Sequence, residues 1–193
     1  RFAYNYPYNI KDSKAYSALH KLELLSPLFK INKNDLKIDF PLSKKDKLFA
    51  KKFLIDLNIK EEDFLVSLSP VSRQAYKVWP AKRFAKVADW LVKTYSAKIL
   101  LLYGPGEKHF VENVCRHMKE TYFFHKTIPS LSETCALIAK AKLHLGNDNG
   151  PRHFAIAQNT PSLAIFGRPL ASNWTPPQEK KHKALEFDPG CKD

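Results

Sequence analysis

Cysteine is scarce. Cys115, Cys135 and Cys191 are the only three in 193 residues. They stand far apart, so no disulfide framework can be read from them, and no CxxC pair offers a zinc or redox site. Glycine occurs six times, and none of the six falls in a GxGxxG fingerprint or a GxxxxGK[ST] phosphate loop. No apolar run approaches the ~20 residues of a membrane-spanning helix, and no signal-peptide pattern is present. Acid is in short supply as well. Nineteen Asp and Glu face thirty-two Lys and Arg, a formal charge of +13. Such an excess predicts an anionic partner (nucleic acid, a phosphorylated glycolipid or an acidic membrane surface) or simply well-solvated helix faces. The basic residues are dispersed, as in Lys44-Lys45, Lys51-Lys52 and Lys180-Lys181, without an RNA-binding signature or zinc-finger spacing. Nucleic-acid binding therefore rests on charge alone. The isolated thiols fit a reducing compartment. Cys115 and Cys135 fall on apolar faces of predicted helices, where free cysteine packs as a small hydrophobe, and Cys191 has no readable role. The chain opens on Arg1 and closes on Asp193 without a clear helix stop, so a portion of a longer protein is expected.

What is present is an alternation. From Phe64 onward, short apolar runs take turns with amphipathic stretches. Strands are predicted at residues 64–69, 97–103, 122–124, 143–145 and 162–166. Helices are predicted from Pro80 through Tyr95, around Phe110 to Met118, from a Ser130/Glu133 capping box through Ala141, and from Pro151 to about Gln158. This order implies βαβ units and a parallel α/β sheet with helices on both faces. Ligands of such sheets sit beyond the carboxyl ends of the strands. Here those ends are the loops starting at Ser69, Gly104, Thr127, Asn147 and Gly167. Before this region, a tyrosine-rich opening (Tyr4, Tyr6, Tyr8) precedes a helix over about 13–25, and a lysine-rich helix follows over about 44–57. Residues 1–40 read as the tail of a preceding domain plus a linker, and residues 41–193 as one Rossmann-like domain.

Three of the strand-end loops carry chemistry. Gly146-Asn147-Asp148-Asn149-Gly150-Pro151-Arg152-His153 joins a strand to a helix start, where unpaired N–H groups and a partial positive charge receive phosphate. Asp148 could accept hydrogen bonds from sugar hydroxyls, and Gly150 lets the backbone approach a ligand. The same run also suits a plain N-cap. Ser69-Pro70-Val71-Ser72, followed by Tyr76-Lys77-Val78-Trp79-Pro80, offers hydroxyl donors and a point charge for phosphate. The bland alternative is an exposed lysine with Trp79 as a hydrophobic staple. Gly104-Pro105-Gly106-Glu107 places a carboxylate at a helix start, suited either to ribose hydroxyls or to the helix dipole.

Taken together, in this order and spacing, VSLSPVSRQAYKVWPAKRFAKVADWL, ILLLYGPGEK, PSLSETCALIAKAKLHLGNDNGPRHFAIAQNTPSLAIFG and the trailing FDPGCKD resemble glycosyltransferase family 9, the ADP-heptose:lipopolysaccharide heptosyltransferases. The resemblance spans about Phe64 to Asp193 and is weak before Phe40. It implies the GT-B fold, with this chain as its C-terminal, nucleotide-sugar-binding Rossmann-like domain and residues 1–40 as the tail of the acceptor-side domain. It implies an inverting transfer of a sugar, heptose from ADP-heptose or another nucleotide-activated sugar, to the lipopolysaccharide inner core. No metal or other cofactor is implied. It places Lys77, Ser69 and Ser72 at the diphosphate, Asp148 at the donor sugar, and the backbone N–H groups of Asn149 and Gly150 at phosphate. Glu107 would hold the ribose, the backbone near Pro129 and Ser130 would frame the base, and His153 would line the phosphate site. Arg152 is given no role. The general base is expected before Arg1. The resemblance also implies a cytoplasmic protein in peripheral contact with the inner membrane's cytoplasmic face, not engaged with nucleic acid. Asn149 stands where Ser or Thr is common, and SPVSRQAYK replaces a commoner glycine-containing loop. The competing reading is a non-catalytic nucleotide- or polyanion-binding module on the same fold.

Overall fold

The computed structural model describes residues 15–32, 36–167, 171–177 and 179–186. The tyrosine-rich opening, Cys191 and the FDPGCKD stretch lie outside the described residues. Six strands form one wholly parallel sheet: β1 (Leu65–Ser69), β2 (Lys98–Leu101), β3 (Tyr122–Phe124), β4 (Leu143–Asn147), β5 (Ser162–Phe166) and β6 (His182–Glu186). Their spatial order is β3-β2-β1-β4-β5-β6. The chain winds outward from β1 on one side, then crosses to β4 on the other. Strand order therefore reverses between β1 and β4, whose register pairs Ser69 with Gly146. The five sequence-predicted strands are all present. The sixth, HKALE, was not expected. It carries little apolar character and is half exposed, but it pairs in parallel with β5 from Ser162↔His182 to Phe166↔Glu186.

The helices are α1 (Ser17–Glu23), α2 (Lys44–Asp56), α3 (Ala81–Tyr95), α4 (Lys108–Cys115), α5 (Leu131–Lys140) and α6 (Gly150–Ala157). Among the described residues, helix α1 covers Ser17–Glu23 of the predicted 13–25. Strand alternation sends Val66, Leu68, Ile99 and Leu101 to one face, under Phe84, Ala88 and Leu91 of α3 and Val111 and Val114 of α4. Leu65, Leu100 and Leu102 go to the other, under Leu54 of α2, Leu137 and Ile138 of α5 and Ala155 of α6. Both faces are thus covered, which is why the central strands read as apolar runs.

Helix starts follow local chemistry. Ser130 Oγ accepts from the Glu133 N–H at 3.2 Å while Glu133 Oε2 accepts from the Ser130 N–H at 2.8 Å, completing the expected capping box. Ser43 and Asp46 build a second box at α2. Trp79 packs edge-to-face on Phe84, ring centres 4.9 Å apart. These two residues flank the α3 N-cap Pro80 as a hydrophobic staple.

Three histidines are buried inside this fold. His144 Nδ1 lies 2.9 Å from Ser67 Oγ across the β1–β4 pair, and burial, aided by the Arg152 charge, pushes its pKa down to about 3. His125, stacked on Tyr103, and His182, bonded to Ser162 Oγ at 2.9 Å, are also lowered, mainly by burial. In the unfolded chain these rings take up a proton near pH 6.5, whereas the fold holds them neutral. The unfolded state therefore binds more protons below that pH. Stability is full above about 6.5 and falls as pH drops through it. His144 alone should cost about 1 kcal/mol between pH 6.5 and 5.5. Urea midpoints measured at the two values should differ accordingly, and His144→Gln should reduce the difference. An unchanged difference in that variant would rule out His144 as a source.

Candidate functional site

The strand reversal between β1 and β4 opens a crevice at the carboxyl ends of the strands, where the two connections diverge. Four loops wall it. The loop after β1 supplies Ser72, Arg73 and Lys77, and the loop after β2 supplies Gly104 and Glu107. Ile128 and Pro129 come from the loop after β3, Leu131 from the start of α5, and Asp148, Asn149 and Gly150 from the start of α6. The enclosed volume is about 760 Å³, within the range of small-molecule sites.

Two asparagines tie the loops together. Asn147, fully buried at the end of β4, accepts from the Trp79 N–H at 3.0 Å and donates to the Pro70 carbonyl at 2.9 Å. Asn149 is the N-cap of α6, accepting from the Arg152 N–H at 3.4 Å. Its Nδ2 lies within donating distance of the carbonyls of Ser69 (3.2 Å) and Val71 (2.9 Å) and of Ser69 Oγ (3.0 Å). The side chain of Asn149 is thus occupied with protein. Replacing Asn149 by alanine removes the cap and leaves loop carbonyls without a donor. A loss of about 1–2 kcal/mol is expected in chemical denaturation. An unchanged midpoint would mean that the strap between the loops carries no load.

Lys77 closes a 3-10 turn (Ala75–Lys77), and its Nζ donates to Asp148 Oδ2 at 2.7 Å. The lysine side chain is 28% exposed and the aspartate 10%, so the pair lines the crevice with the ammonium partly open to solvent. Gly167, just after β5, supports this turn from below. A Cβ there would collide with the Tyr76 carbonyl and come within 2.8 Å of Lys77 Cα. At Gly150, by contrast, a Cβ would meet nothing within 4 Å, so the space over the first turn of α6 is open.

The remaining expected site residues divide. Glu107 lines the crevice, with its Oε2 accepting from the Gly104 N–H at 2.8 Å. Ser69 is fully buried, and its hydroxyl meets Asn149 rather than the crevice. Ser130 is spent on the α5 cap while its neighbours Pro129 and Leu131 form the wall. His153 packs edge-to-face against Trp174, ring centres 5.8 Å apart, outside the crevice lining. Burial lowers its pKa, helped by the Arg152 charge.

Arg152, left without a role by the family resemblance, is fully buried. Its guanidinium donates to the Trp174 carbonyl at 2.6 Å and to Thr175 Oγ1 at 2.7 Å. It also lies 5.1 Å from the centre of the Phe166 ring. It pins the segment after β5 against α6. Arg73 and the apolar wall formed by Tyr103, Ile128, Leu131 and Phe154 escaped the sequence reading.

This architecture defines a Rossmann-type domain of the GT-B glycosyltransferases, with a crevice at the topological switch point. The chain belongs to glycosyltransferase family 9 (heptosyltransferase), whose model matches residues 2–192. It is 28% identical over 163 residues to the lipooligosaccharide heptosyltransferase 2 of Campylobacter jejuni, covering 81% of this chain and 48% of that one. Its fold is similar to that of a Veillonella parvula glycosyl transferase family 9 protein (TM-score 0.84, 22% identity, 94% of this chain and 51% of that chain). It is also similar to the Escherichia coli ADP-heptose lps heptosyltransferase II (TM-score 0.70, 18% identity, 94% and 57%). The chain spans at most about half the length of the curated relatives it matches. Among the described residues, no helix is long and apolar enough to cross a membrane.

Proposed function

We propose that this chain is the donor-binding domain of a glycosyltransferase that moves heptose from ADP-heptose to the inner core of lipopolysaccharide, with inversion and without a metal. The carrying observation is the juxtaposition, in one crevice, of Lys77, Asp148 and the open first turn of α6. That set offers a cation and free N–H groups to a diphosphate, and a carboxylate to sugar hydroxyls. Lys77 and Ser72 would hold the diphosphate with the backbone N–H groups of Asn149 and Gly150. Asp148 would turn from Lys77 to the heptose hydroxyls, Glu107 would take the ribose, and the wall at Pro129 would receive the adenine. Ser69 and Ser130 act through the loops they brace, and His153 stays outside with Trp174. As the glycosidic bond breaks, the ammonium and the helix start stabilise the negative charge that collects on the departing ADP. The general base belongs to the acceptor-side domain, of which residues 1–40 would be the tail. The enzyme would act in the cytoplasm, at the cytoplasmic face of the inner membrane where its acceptor is borne.

Calorimetric titration of the chain with ADP-heptose, ADP and UDP-glucose tests this reading. ADP-heptose should bind more tightly than ADP, and UDP-glucose least. Equal affinity for the three, or no binding of any, would overturn the donor-site assignment.

A further inference from the structure

One helix is decorated in a way the donor crevice does not use. α2 (KKDKLFAKKFLID) turns Ala50 and Leu54 into the core, yet leaves Leu48 67% and Ile55 61% exposed. At 100° per residue, these two apolar side chains fall in the middle of the solvent-facing arc. Lys47 and Lys51 flank them on one side and Lys45 and Lys52 on the other, all four exposed. Only Asp56, at the rim of this arc, opposes that charge. Asp46 lies on the opposite side and is bonded to Ser43 and Ser132. An apolar stripe between two rows of long basic stems is the pattern of a helix lying in a lipid headgroup layer. There the stems spread along the interface and the ammonium groups reach phosphate.

A second feature adjoins the same face. Lys51 and Ile55 also line a groove of about 560 Å³ between the carboxyl ends of α2 and α5. Leu54, Ile59 and Ala141 contribute apolar walls, and Lys60 and Lys142 add positive charge. Among the described residues the groove's one carboxylate, Glu61, is already paired with Lys140 at 3.3 Å. Apolar walls with unpaired ammonium groups around them suit an anionic amphiphile.

We propose that the solvent face of α2, with this groove, docks on the surface of an anionic phospholipid bilayer. The proposal deepens the function given above, which supplies a membrane-borne acceptor. The geometry gives it a purpose. Ser132 Oγ donates to Asp46 Oδ1 at 2.8 Å, joining the first turn of α2 to the first turn of α5, whose Leu131 lines the donor crevice. A bilayer under α2 would run alongside the crevice mouth. Helix α3 carries a rival basic face, with Arg83, Lys86 and a Trp90 that is 53% exposed. It packs on the opposite side of the sheet, cannot rest on the same flat surface, and so provides the control.

The test is co-sedimentation of the full chain with vesicles of phosphatidylcholine alone or mixed with phosphatidylglycerol. Binding should require the anionic lipid and weaken with salt. Lys51→Glu/Lys52→Glu should weaken it by at least about twentyfold, at roughly fivefold per lysine removed. Leu48→Ser/Ile55→Ser should weaken it about tenfold by removing apolar burial. Arg83→Glu/Lys86→Glu, with the same change in net charge, should leave binding within about twofold. Equal weakening by the α2 and α3 charge reversals would overturn the proposal, since total charge would then be responsible. So would indifference to Leu48→Ser/Ile55→Ser together with equally tight, salt-sensitive binding to duplex DNA, which would mark a polyanion surface. ADP titration of the same variants separates the two proposals. Unaltered nucleotide binding with unaltered vesicle binding would overturn the docking face alone, and loss of ADP binding in the wild-type chain would overturn the donor site alone.

Discussion

Replacing Lys77 with alanine is expected to weaken ADP binding by about ten- to a hundredfold. That corresponds to losing one charge-assisted contact of roughly 1.5–3 kcal/mol. The partner variant should act in the opposite direction. Lys77 Nζ is bonded to Asp148 Oδ2 at 2.7 Å, so a diphosphate entering the crevice competes with a carboxylate for one ammonium. Asp148→Asn keeps the shape, removes the competing charge and the repulsion, and should tighten ADP severalfold. With ADP-heptose the same variant should gain less or lose, because the acceptor for sugar hydroxyls is weakened. Titrations of both variants with both ligands fix the signs for ADP and the order of the two ligands for Asp148→Asn. If Lys77→Ala and Asp148→Asn shift ADP affinity in the same direction, the two residues act as a structural clasp rather than as opposed partners of the phosphate.

The second large effect concerns backbone packing at the strand reversal. Gly146 in β4 faces Ser69 in β1, and a Cβ built on it would lie 2.6 Å from the Ser69 carbonyl oxygen. Both strands are held on their far sides by β2 and β5, so neither can move away freely. Gly146→Ala should therefore destabilise the fold by about 3 kcal/mol, the upper end of the range for overpacked cores. It should also reduce ADP binding, because Asn147 and Asn149 position both crevice loops from the same strand end. Chemical denaturation with parallel titration checks this. A variant of wild-type stability would show that the two central strands separate without cost.

Much of this was legible in the sequence because the signals were local. The Ser130/Glu133 box, the Trp79 staple and the apolar runs at 65–69 and 162–166 each follow from side chains within a few residues of one another. β6 was not legible, since HKALE gains its place only by pairing with β5. The site divides along the same line. Lys77 and Asp148 were singled out separately, 71 positions apart, and only the strand order brings them to 2.7 Å. Asn149 was read as a backbone donor, whereas its side chain proves to be the strap that holds Ser69 and Val71. Ser69 and His153 were drawn toward the ligand by their neighbours in sequence, and packing turns their side chains to Asn149 and Trp174. Arg152 stands beside the α6 start, where a cation suggests an anion, yet its partners Trp174 and Thr175 follow the next strand, so nothing local pointed to its packing.

The central claim is that the crevice at the β1–β4 reversal is the donor site, and amide chemical-shift mapping with ADP tests it most directly. The shifts should concentrate at Ser72, Lys77, Gly104, Asn149 and Gly150, from the loops after β1, β2 and β4. The groove at Lys60 and Lys142 should stay silent. Shifts centred on that groove, or scattered over the lysine-rich helix faces with no focus at the strand ends, would contradict the account.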